Sequence, residues 1–533
     1  MARGRPAVQE LAQRFDGSLK QLTICWLLIV LGMASLWRLG NVWSRCFLAG
    51  LVVALAIALN PVPGAAQTGQ LNSYCQLSQV EVDAKESLRQ QAASGDTVAI
   101  AQYGDLLKRH ADMLQACRRR QWPQQQAIWM RLYPCDLRPG VLDALMDRVV
   151  NLGYTEVYVE AFYNGQLLIP KRDNRSAWPS VVQQSGYENR DLLAEAIAVG
   201  HRRGLKMYAW MFTMNFGYSY GQRRDRQQVL ARNGNGETTS AFASRGGSNN
   251  PEEIFIDPYS YQARNDYRQM LQLVLQRQPD GVLFDYIRYP RGIGSNSVAG
   301  SVGDLWIYGS AAQNSLLQRA LNNKGRELIR QFLAKGYLTD GDIEQVDMQF
   351  SNEPEPLWQS RQLSGSTSEV PASVRRPALQ LELWRLSVAH AAQGVIDFLN
   401  TVAQPVRQQN IPTGVVFFPS ANQPVGTQGY DSRLQHWNRF PPSMSWHPMA
   451  YSICGNTRCI VQEIQTVLRQ SNAGNVRPAL AGVWGRSINN RPSLEAQMDA
   501  IRQAAPNISS VSHFAYSWQD PEFDRVRKFC ELP

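Results

Sequence analysis

Asp285 is the residue of this sequence whose surroundings are best suited to acid–base chemistry. It follows the apolar run Gly281–Phe284, and the segment from Asp285 to Pro290 adds two tyrosines and an arginine. A short apolar run of this composition predicts a buried strand that ends at Pro290. A carboxylate at the C-terminal end of a strand, beside aromatic and guanidinium groups, is typical of sugar-cleaving barrels. The alternative is an aspartate that caps the next loop.

Glycoside hydrolysis needs two carboxyl groups, one as acid and one as base or nucleophile. Glu160 is the best partner for Asp285, because it lies near the end of a second predicted strand. Period two places Tyr158, Glu160 and Phe162 on one face of that strand. We predict Asp285 as nucleophile or base and Glu160 as acid. The alternative for Glu160 is a salt bridge with a barrel arginine such as Arg131.

Two other aspartates are reserve candidates for the second carboxylate. Asp257 precedes Pro258 and a predicted helix, which favours a role as helix N-cap. Asp431 follows the fifth predicted strand. Neither is preferred to Glu160.

Aromatic and polar side chains at the predicted strand ends are candidates for substrate binding. Flat rings stack on the apolar faces of sugars, and neighbouring polar groups bind the hydroxyls. For any single ring, ordinary core packing is the alternative, and for the histidine a structural hydrogen bond is favoured. The predicted substrate-binding residues are Phe162, Trp210, Asn215, Tyr286, Arg288, Tyr289, His447, Tyr451, Trp484 and Trp518.

Short apolar strands that alternate with amphipathic helices must position these side chains. From residue 125 to the end, this rhythm predicts a parallel sheet built from βα units. Eight strands are the number that a (β/α)8 TIM barrel requires. The predicted strands are Ala127–Tyr133, Thr155–Tyr163, Leu205–Asn215, Gly281–Tyr289, Thr413–Pro419, Ser443–Tyr451, Val476–Trp484 and Ser509–Trp518.

Two long insertions and an N-terminal extension interrupt or precede this pattern. Residues 216–260 follow the third strand and residues 291–378 follow the fourth, so both leave from the end where barrel active sites form. They are predicted to form cleft walls or a lid, or else to pack on the side of the barrel. Residues 67–124 have a helical period and predict a helical extension.

The first 66 residues are predicted to be a signal peptide or membrane leader. Arg38 and Arg45 precede the apolar run Cys46–Leu59, and a small-residue cleavage site follows near Ala66. The run is shorter than the roughly 20 residues of a spanning helix. An earlier apolar stretch suggests that the true start is Met33, or that a tandem-helix anchor associates with the membrane. Either reading predicts export to the periplasm, cell envelope or exterior.

Charge and cysteine usage restrict the partners. Lys and Arg number 54 against 44 Asp and Glu, without a long basic block or a nucleic-acid motif. This balance favours an anionic envelope polymer over nucleic acid. Neither a metal nor a cofactor is predicted, since CxxC and phosphate-loop contexts are missing from the sequence. Disulfides are expected in an exported chain, and the predicted pairs are Cys75–Cys117, Cys135–Cys530 and Cys454–Cys459.

The segment from Ile256-Asp257-Pro258 to Asp280-Gly281-x-x-Phe284-Asp285 resembles the glycosyl-hydrolase-like family 10 barrels. Gly204–Trp210 with Asn215 is similar to their third strand, and Leu383-Trp384-Arg385 resembles their helix after the fourth. The likeness covers about residues 127–530 and implies a TIM barrel that hydrolyses glycans of the envelope or extracellular polysaccharide.

Two positions depart from that family. Tyr286 stands where a second Asp is common, and Pro448-Met449-Ala450-Tyr451 replaces its P-Q-x-Y. Both are similar instead to the related putative glycoside hydrolases of domain of unknown function 4015. Asp285 matches in either comparison, whereas the second carboxylate does not.

The sequence therefore predicts an exported glycoside hydrolase that acts on peptidoglycan or an exopolysaccharide. The alternative function is that of a glycan-binding barrel which has lost catalysis and serves as an envelope adaptor.

Overall fold

The fold is a closed barrel of eight parallel strands. The computed structural model describes residues 71–362, 370–427, 429–471 and 473–531. The barrel strands are β1 (Gln125–Met130), β2 (Glu156–Tyr163), β3 (Lys206–Phe212), β4 (Gly281–Asp285), β5 (Thr413–Phe417), β6 (Ser445–Ala450), β7 (Ala479–Ala481) and β8 (Ser510–Phe514).

Each strand pairs in parallel with its neighbours in chain order, and β1 closes the ring. Trp129 of β1 is in register with Tyr158 of β2, while Ala127 of β1 is in register with Ser512 of β8. The strands are buried on both faces, which is why they are apolar runs rather than alternating ones. The predicted (β/α)8 TIM barrel is confirmed.

Helices surround the barrel, precede it and fill its insertions. Between β5 and β6 the described residues contain no helix other than the 3-10 turn Trp437–Arg439. The helices of eight or more residues are α1 (Gln79–Ala93), α2 (Thr97–Arg120), α3 (Val141–Asn151), α4 (Leu192–His201), α5 (Tyr261–Leu275), α6 (Ser310–Leu317), α7 (Asn323–Lys335), α8 (Asp340–Gln349), α9 (Ala372–Gln408), α10 (Arg458–Leu468), α11 (Leu494–Ala504) and α12 (Pro521–Lys528).

Large aromatic side chains fill the barrel interior. Trp129 packs edge-on against Tyr158 and Trp210, with ring centroids 4.8 and 4.9 Å apart. His447 lies beside the same tryptophan at 6.3 Å. A Cβ atom at Gly414 would come within 2.8 Å of the His447 Nε2 atom. Glycine at that position therefore gives the imidazole the room it occupies.

The fourth strand is shorter than predicted. It ends at Asp285 rather than at Tyr289, because Tyr286 adopts a left-handed backbone with φ of +53°. This conformation is unfavourable for a bulky residue and breaks the extended chain four residues before Pro290. The strand consequently ends on the carboxylate itself.

The insertions build structure around the C-terminal ends of the strands. The first contains short helices at Gly217–Gly221 and Thr239–Ser244, and the second contains α6 to α8. Val298–Ala299 pairs with Gly429–Asp431, which in turn pairs with Pro424–Val425. The second insertion is thus joined to the loop after β5.

The three predicted disulfides are confirmed: Cys75–Cys117, Cys135–Cys530 and Cys454–Cys459. The first joins the segment before α1 to α2. The second joins the turn after β1 to the end of the chain. The third closes a short loop after β6.

None of the helices described in the structure has the length and apolar character needed to cross a bilayer. The predicted leader, residues 1–66, lies outside the described residues.

Candidate active site

The Asp285 carboxylate is fixed by hydrogen bonds to both of its oxygens. Oδ2 accepts from Trp210 Nε1 at 3.0 Å, and Oδ1 accepts from the backbone N–H of Tyr286 at 2.6 Å. The left-handed turn at Tyr286 directs that amide back toward the strand end. Strained backbone of this kind is concentrated at functional sites. The residue is 6% exposed, so the carboxyl group is held in one orientation with restricted access to water.

Burial raises the pKa of Asp285. The Tyr286 amide, the positive charge of Arg288 and the Trp210 N–H oppose this rise, while the negative charge of Glu253 adds to it. Among the described residues, no lysine, arginine or histidine forms an ion pair with Asp285 within 4.0 Å. Its proton is therefore held more tightly than that of a surface aspartate, as acid–base catalysis near neutral pH requires.

Glu160 lies on β2, two strands from Asp285, in register with Trp210 on the strand between them. Its Oε2 accepts from Arg131 Nε at 2.5 Å, and its buried Oε1 has no hydrogen-bond partner among the described residues. Burial raises the pKa of Glu160, Arg131 lowers it, and the charge of Asp285 raises it. The alternative noted above, a salt bridge with Arg131, is present. The two carboxyls nevertheless interact electrostatically.

Aromatic rings and one arginine surround Asp285. The ring of Tyr286 lies 4.2 Å from that of Phe212, and the Arg288 guanidinium lies 4.5 Å from the centre of the Tyr286 ring. Tyr451 packs on Phe514 at 5.6 Å. Burial raises the pKa of Tyr451, and the charge of Asp285 raises it further. We call this cluster the mouth: Asp285, Glu160, Trp210, Phe212, Tyr286, Arg288, Tyr451 and Phe514.

A cavity of ≈ 170 Å³ opens beside Glu160. It is lined by residues of β1 to β3, the end of β8 and the C-terminal helices, including Trp129, Arg131, Tyr133, Trp210, Phe514, Ser517 and Asp524. Four of these side chains are aromatic rings of the barrel interior or rim. The cavity thus combines ring faces with polar groups next to a buried carboxyl.

Phe162 lies on the opposite face of β2 from Glu160, contrary to the period-two expectation. The pairing with β3 shifts by one residue at Ala161, a β-bulge, so that Phe162 is in register with Met211. Its ring packs on Trp178 at 5.0 Å, and the residue is fully buried. The bulge therefore moves Phe162 out of the mouth.

Three more predicted binding residues lie apart from the mouth. Asn215 accepts from the backbone N–H groups of Gly217 and Ile254 and so organises the first insertion. Tyr289 is fully buried, and its hydroxyl donates to the α9 backbone. Trp484 packs on His513, at 5.3 Å between rings.

His447 and Trp518 lie near the mouth without contacting Asp285. His447 is buried within the barrel, where its Nε2 shares a hydrogen bond of 2.9 Å with Ser445 Oγ. Burial holds the pKa of His447 well below its usual value, and the charge of Arg477 lowers it further, so the imidazole is neutral. Trp518 is linked to the rim through Arg491, whose guanidinium lies 5.8 Å from its ring and donates to the Tyr451 carbonyl.

Glu253 is a carboxylate near the mouth that the sequence reasoning missed. Its Oε1 accepts from the Tyr286 hydroxyl at 3.2 Å, and its charge acts on Asp285. It belongs to the first insertion, and the pattern of the strands does not predict the path of this insertion over the barrel. The sequence feature that could have indicated it is the acidic pair Glu252-Glu253 before the apolar Ile254.

The reserve aspartates have structural contacts. Asp257 Oδ2 accepts from the Ala312 amide at 2.9 Å and so attaches α6 to the first insertion. Ser260, and not Asp257, caps α5. Asp431 forms an ion pair with Arg433 at 2.6 Å.

Among the described residues, no three His, Cys, Asp or Glu side chains are grouped as metal ligands. The titratable and charged side chains of the mouth are the carboxyls of Asp285 and Glu160, the phenols of Tyr286 and Tyr451 and the guanidinium of Arg288.

No protein-family profile matches the chain, and no curated protein matches it. Several of the solved structures similar to it are glycoside hydrolases, all at low identity. One is the galactosidase domain of the alpha-galactosidase-sucrose kinase AgaSK, with 11% identity, 80% of this chain and 43% of that chain covered, and a TM-score of 0.36. A second is the beta-galactosidase of Marinomonas ef1, with 11% identity, 74% and 54% covered, and a TM-score of 0.38.

A third is a GH18 chitinase from Pseudoalteromonas aurantia, with 9% identity, 76% of this chain and 99% of that chain covered, and a TM-score of 0.35. The chain spans about half the length of the two galactosidases.

Proposed function

We propose that the mouth binds a glycan and hydrolyses a glycosidic bond, with Asp285 as nucleophile or base. One observation carries this proposal: a buried carboxyl at the end of β4, oriented by two hydrogen bonds, has a raised pKa and no ion-pair partner among the described residues. A purely structural carboxylate at this depth is expected to have a cation or a full set of donors. Because no neighbouring cation pairs with it, the Asp285 carboxyl is available to take up a proton or to attack a sugar carbon during the proposed reaction.

The walls of the mouth suit a sugar. The rings of Trp210, Phe212 and Tyr286 lie beside the carboxylate, and such faces stack on pyranose rings. Polar groups between them are available for hydroxyls. The rings and the carboxyl belong to neighbouring strand ends of one rigid barrel, which favours fixed geometry at the reacting bond.

Glu160 is the proposed acid. Its pKa is raised by burial, its Oε1 has no partner, and the charge of Asp285 further favours its protonated form. An acid and a base with mutually dependent protonation are what glycoside hydrolysis uses. Glu253 is the alternative acid, because its charge also acts on Asp285.

The Glu160–Arg131 ion pair favours a second function, glycan binding without cleavage. An arginine at 2.5 Å stabilises the carboxylate form, which is the wrong form for an acid. In that case the barrel would act as an envelope adaptor, which binds the glycan through its aromatic rings and does not hydrolyse it.

The proposed substrate is a polysaccharide of the cell envelope or exterior, either peptidoglycan or an exopolysaccharide. Three disulfides are compatible with a secreted protein. The net charge of +10 suits anionic surroundings.

The test is release of reducing ends from peptidoglycan and a panel of exopolysaccharides, with wild type compared with Asp285→Asn. We expect release by wild type and a loss of about 10²–10⁴-fold in the variant. Asp397→Asn, on the outer helix α9, is the matched control and should retain activity. Equal release by Asp285→Asn would contradict the catalytic role, while binding without release from any glycan would favour the adaptor.

A further inference from the structure

The mouth contains a buried arginine that forms no ion pair with a carboxylate among the described residues. Arg288 follows Asp285 by three residues and is 7% exposed. Its only hydrogen bond within the described structure runs from Nη1 to the Tyr289 carbonyl at 2.9 Å. None of the described carboxylates lies within 4.0 Å of it as an ion pair. A guanidinium offers five N–H donors, so most of its capacity is unused.

The other buried arginines of the described chain have carboxylate partners or a larger set of hydrogen bonds. Arg203, Arg433 and Arg527 each form ion pairs with aspartates. Arg118 has no carboxylate partner, but its three guanidinium nitrogens donate to four different oxygen acceptors. Arg288 therefore differs both from the ion-paired group and from the carbonyl-saturated one.

Aromatic rings hold the Arg288 guanidinium in place. It lies 4.5 Å from the ring centre of Tyr286, 5.4 Å from that of Phe255 and 5.9 Å from that of Phe418. These contacts stabilise a cation and restrict its rotation without using its N–H donors. Apart from the bond from Nη1 to the Tyr289 carbonyl, the N–H donors of Arg288 have no hydrogen-bond partner among the described residues.

The charged groups around Arg288 do not neutralise it. Its charge acts on Asp285, whose two oxygens are already occupied by Trp210 and the Tyr286 amide. Glu253 is engaged by the Tyr286 hydroxyl. A buried, oriented guanidinium beside a reactive carboxyl is matched best by a planar anion that arrives with the substrate.

We propose that Arg288 binds the carboxylate of an acidic sugar, so that the glycan recognised at the mouth carries uronic-acid or comparable carboxylated residues. This inference rests on the proposed glycan-binding function and assigns its substrate class. Arg288 would then determine specificity, since a neutral sugar in the same position leaves the guanidinium without an anion.

The test uses galacturonic, mannuronic and hyaluronan hexasaccharides, each paired with its carboxyl-reduced form. Affinity is measured by calorimetry in the Asp285→Asn background, and hydrolysis is measured separately with Asp285 intact. We expect the acidic form to bind at least 10-fold more tightly for one pair. Arg288→Gln should abolish that preference through a loss of about 10- to 100-fold on the acidic form and little change on the neutral form.

Two controls separate recognition from general effects. Arg385→Gln removes one exposed positive charge from α9 and should leave the preference intact. Arg288→Lys keeps the charge without the planar fork and should recover only part of the preference. Thermal unfolding of each variant reports whether the barrel is intact.

The outcomes distinguish this inference from the function on which it rests. Equal losses on acidic and neutral forms, no preference in the parent protein, or no binding to any pair would overturn the role of Arg288. A preference for sulfated dextran oligosaccharides alone would overturn the carboxylate assignment. Acid-selective binding that depends on Arg288 without hydrolysis would contradict the hydrolase and leave the recognition role standing.

Discussion

Two buried arginines have opposite electrostatic settings in this barrel. At one place, which we call the closure seam, Arg527 of α12 meets Asp136 in the turn after β1. Both side chains are completely buried, and two nitrogens of Arg527 donate to Asp136 at 2.8 and 2.7 Å. The third nitrogen, Nη1, donates to Asp524, and Nη2 donates to the Arg131 carbonyl as well as to Asp136. The Cys135–Cys530 disulfide joins the same two segments.

At the mouth, by contrast, Arg288 has no anion and Asp285 has no ion-pair partner among the described residues. Both places lie where loops meet the C-terminal ends of strands, so burial alone does not distinguish them. At the seam Arg527 pairs with both Asp136 and Asp524, and these ion pairs stabilise the closed fold. The mouth leaves a cation and an acid incompletely matched, a pattern expected of a site that is completed by a ligand.

The largest predicted effect on stability is at the seam disulfide. The Cys135–Cys530 disulfide closes a loop that contains most of the chain, and it therefore restricts the unfolded state strongly. Replacing both cysteines by serine should reduce the free energy of unfolding by about 5 kcal/mol. The same change at Cys454 and Cys459, which close a short loop after β6, should cost about 2 kcal/mol. Urea denaturation of both double variants measures the difference. Equal losses would mean that loop length does not determine the contribution of these crosslinks.

Breaking the seam ion pair should have the next largest effect. Arg527→Met leaves Asp136 buried without its partner and should destabilise the protein by about 3–5 kcal/mol. Arg288→Met at the mouth leaves no comparable orphan and should cost less than half as much. Thermal and urea unfolding of the two variants provide the comparison. A larger loss at Arg288 would show that its cation–π contacts are structural and would weaken its proposed role in recognition.

The seam was more predictable from the sequence than the mouth. The strand pattern and the cysteine positions are visible in the sequence itself. They were sufficient to predict all eight strands and the Cys135–Cys530 crosslink. Asp285 was predicted because it ends an apolar run. The bulge at Ala161, which turns Phe162 away, depends on pairing with β3 and leaves no trace in the periodicity.

Other features of the mouth depend on contacts between distant segments. Glu253 reaches Tyr286 only because the first insertion folds back over β4. Trp484 follows a strand end as predicted, yet it packs on His513 rather than beside Asp285. Alternation along a strand predicts the face of a side chain, but it does not predict the path of a long insertion or of the chain after the strand.

The smallest predicted effect is a gain in stability at the mouth. Asp285→Asn replaces a buried carboxyl without an ion pair by a neutral group of the same shape, and it should stabilise the protein at pH 7 by about 0.5–2 kcal/mol. This gain is reduced by loss of the attraction between Asp285 and Arg288, and because the amide can accept only one of the two hydrogen bonds that the carboxylate accepts. The variant should thus be less active and more stable than wild type.

The pH dependence of this gain follows from the raised pKa of Asp285. Below the pKa of an unfolded aspartate, about 3.9, the carboxyl is protonated in both states and the two proteins should be similarly stable. As pH rises above that value, the unfolded state releases its proton first, so wild type loses stability until the folded-state pKa is passed. The stability difference between Asp285→Asn and wild type should therefore increase from pH 4 upward and then become constant. Urea midpoints measured at intervals from pH 3.5 to 8 provide the curve. A difference that shrinks with pH would mean that the folded protein stabilises the Asp285 carboxylate, which would contradict its raised pKa.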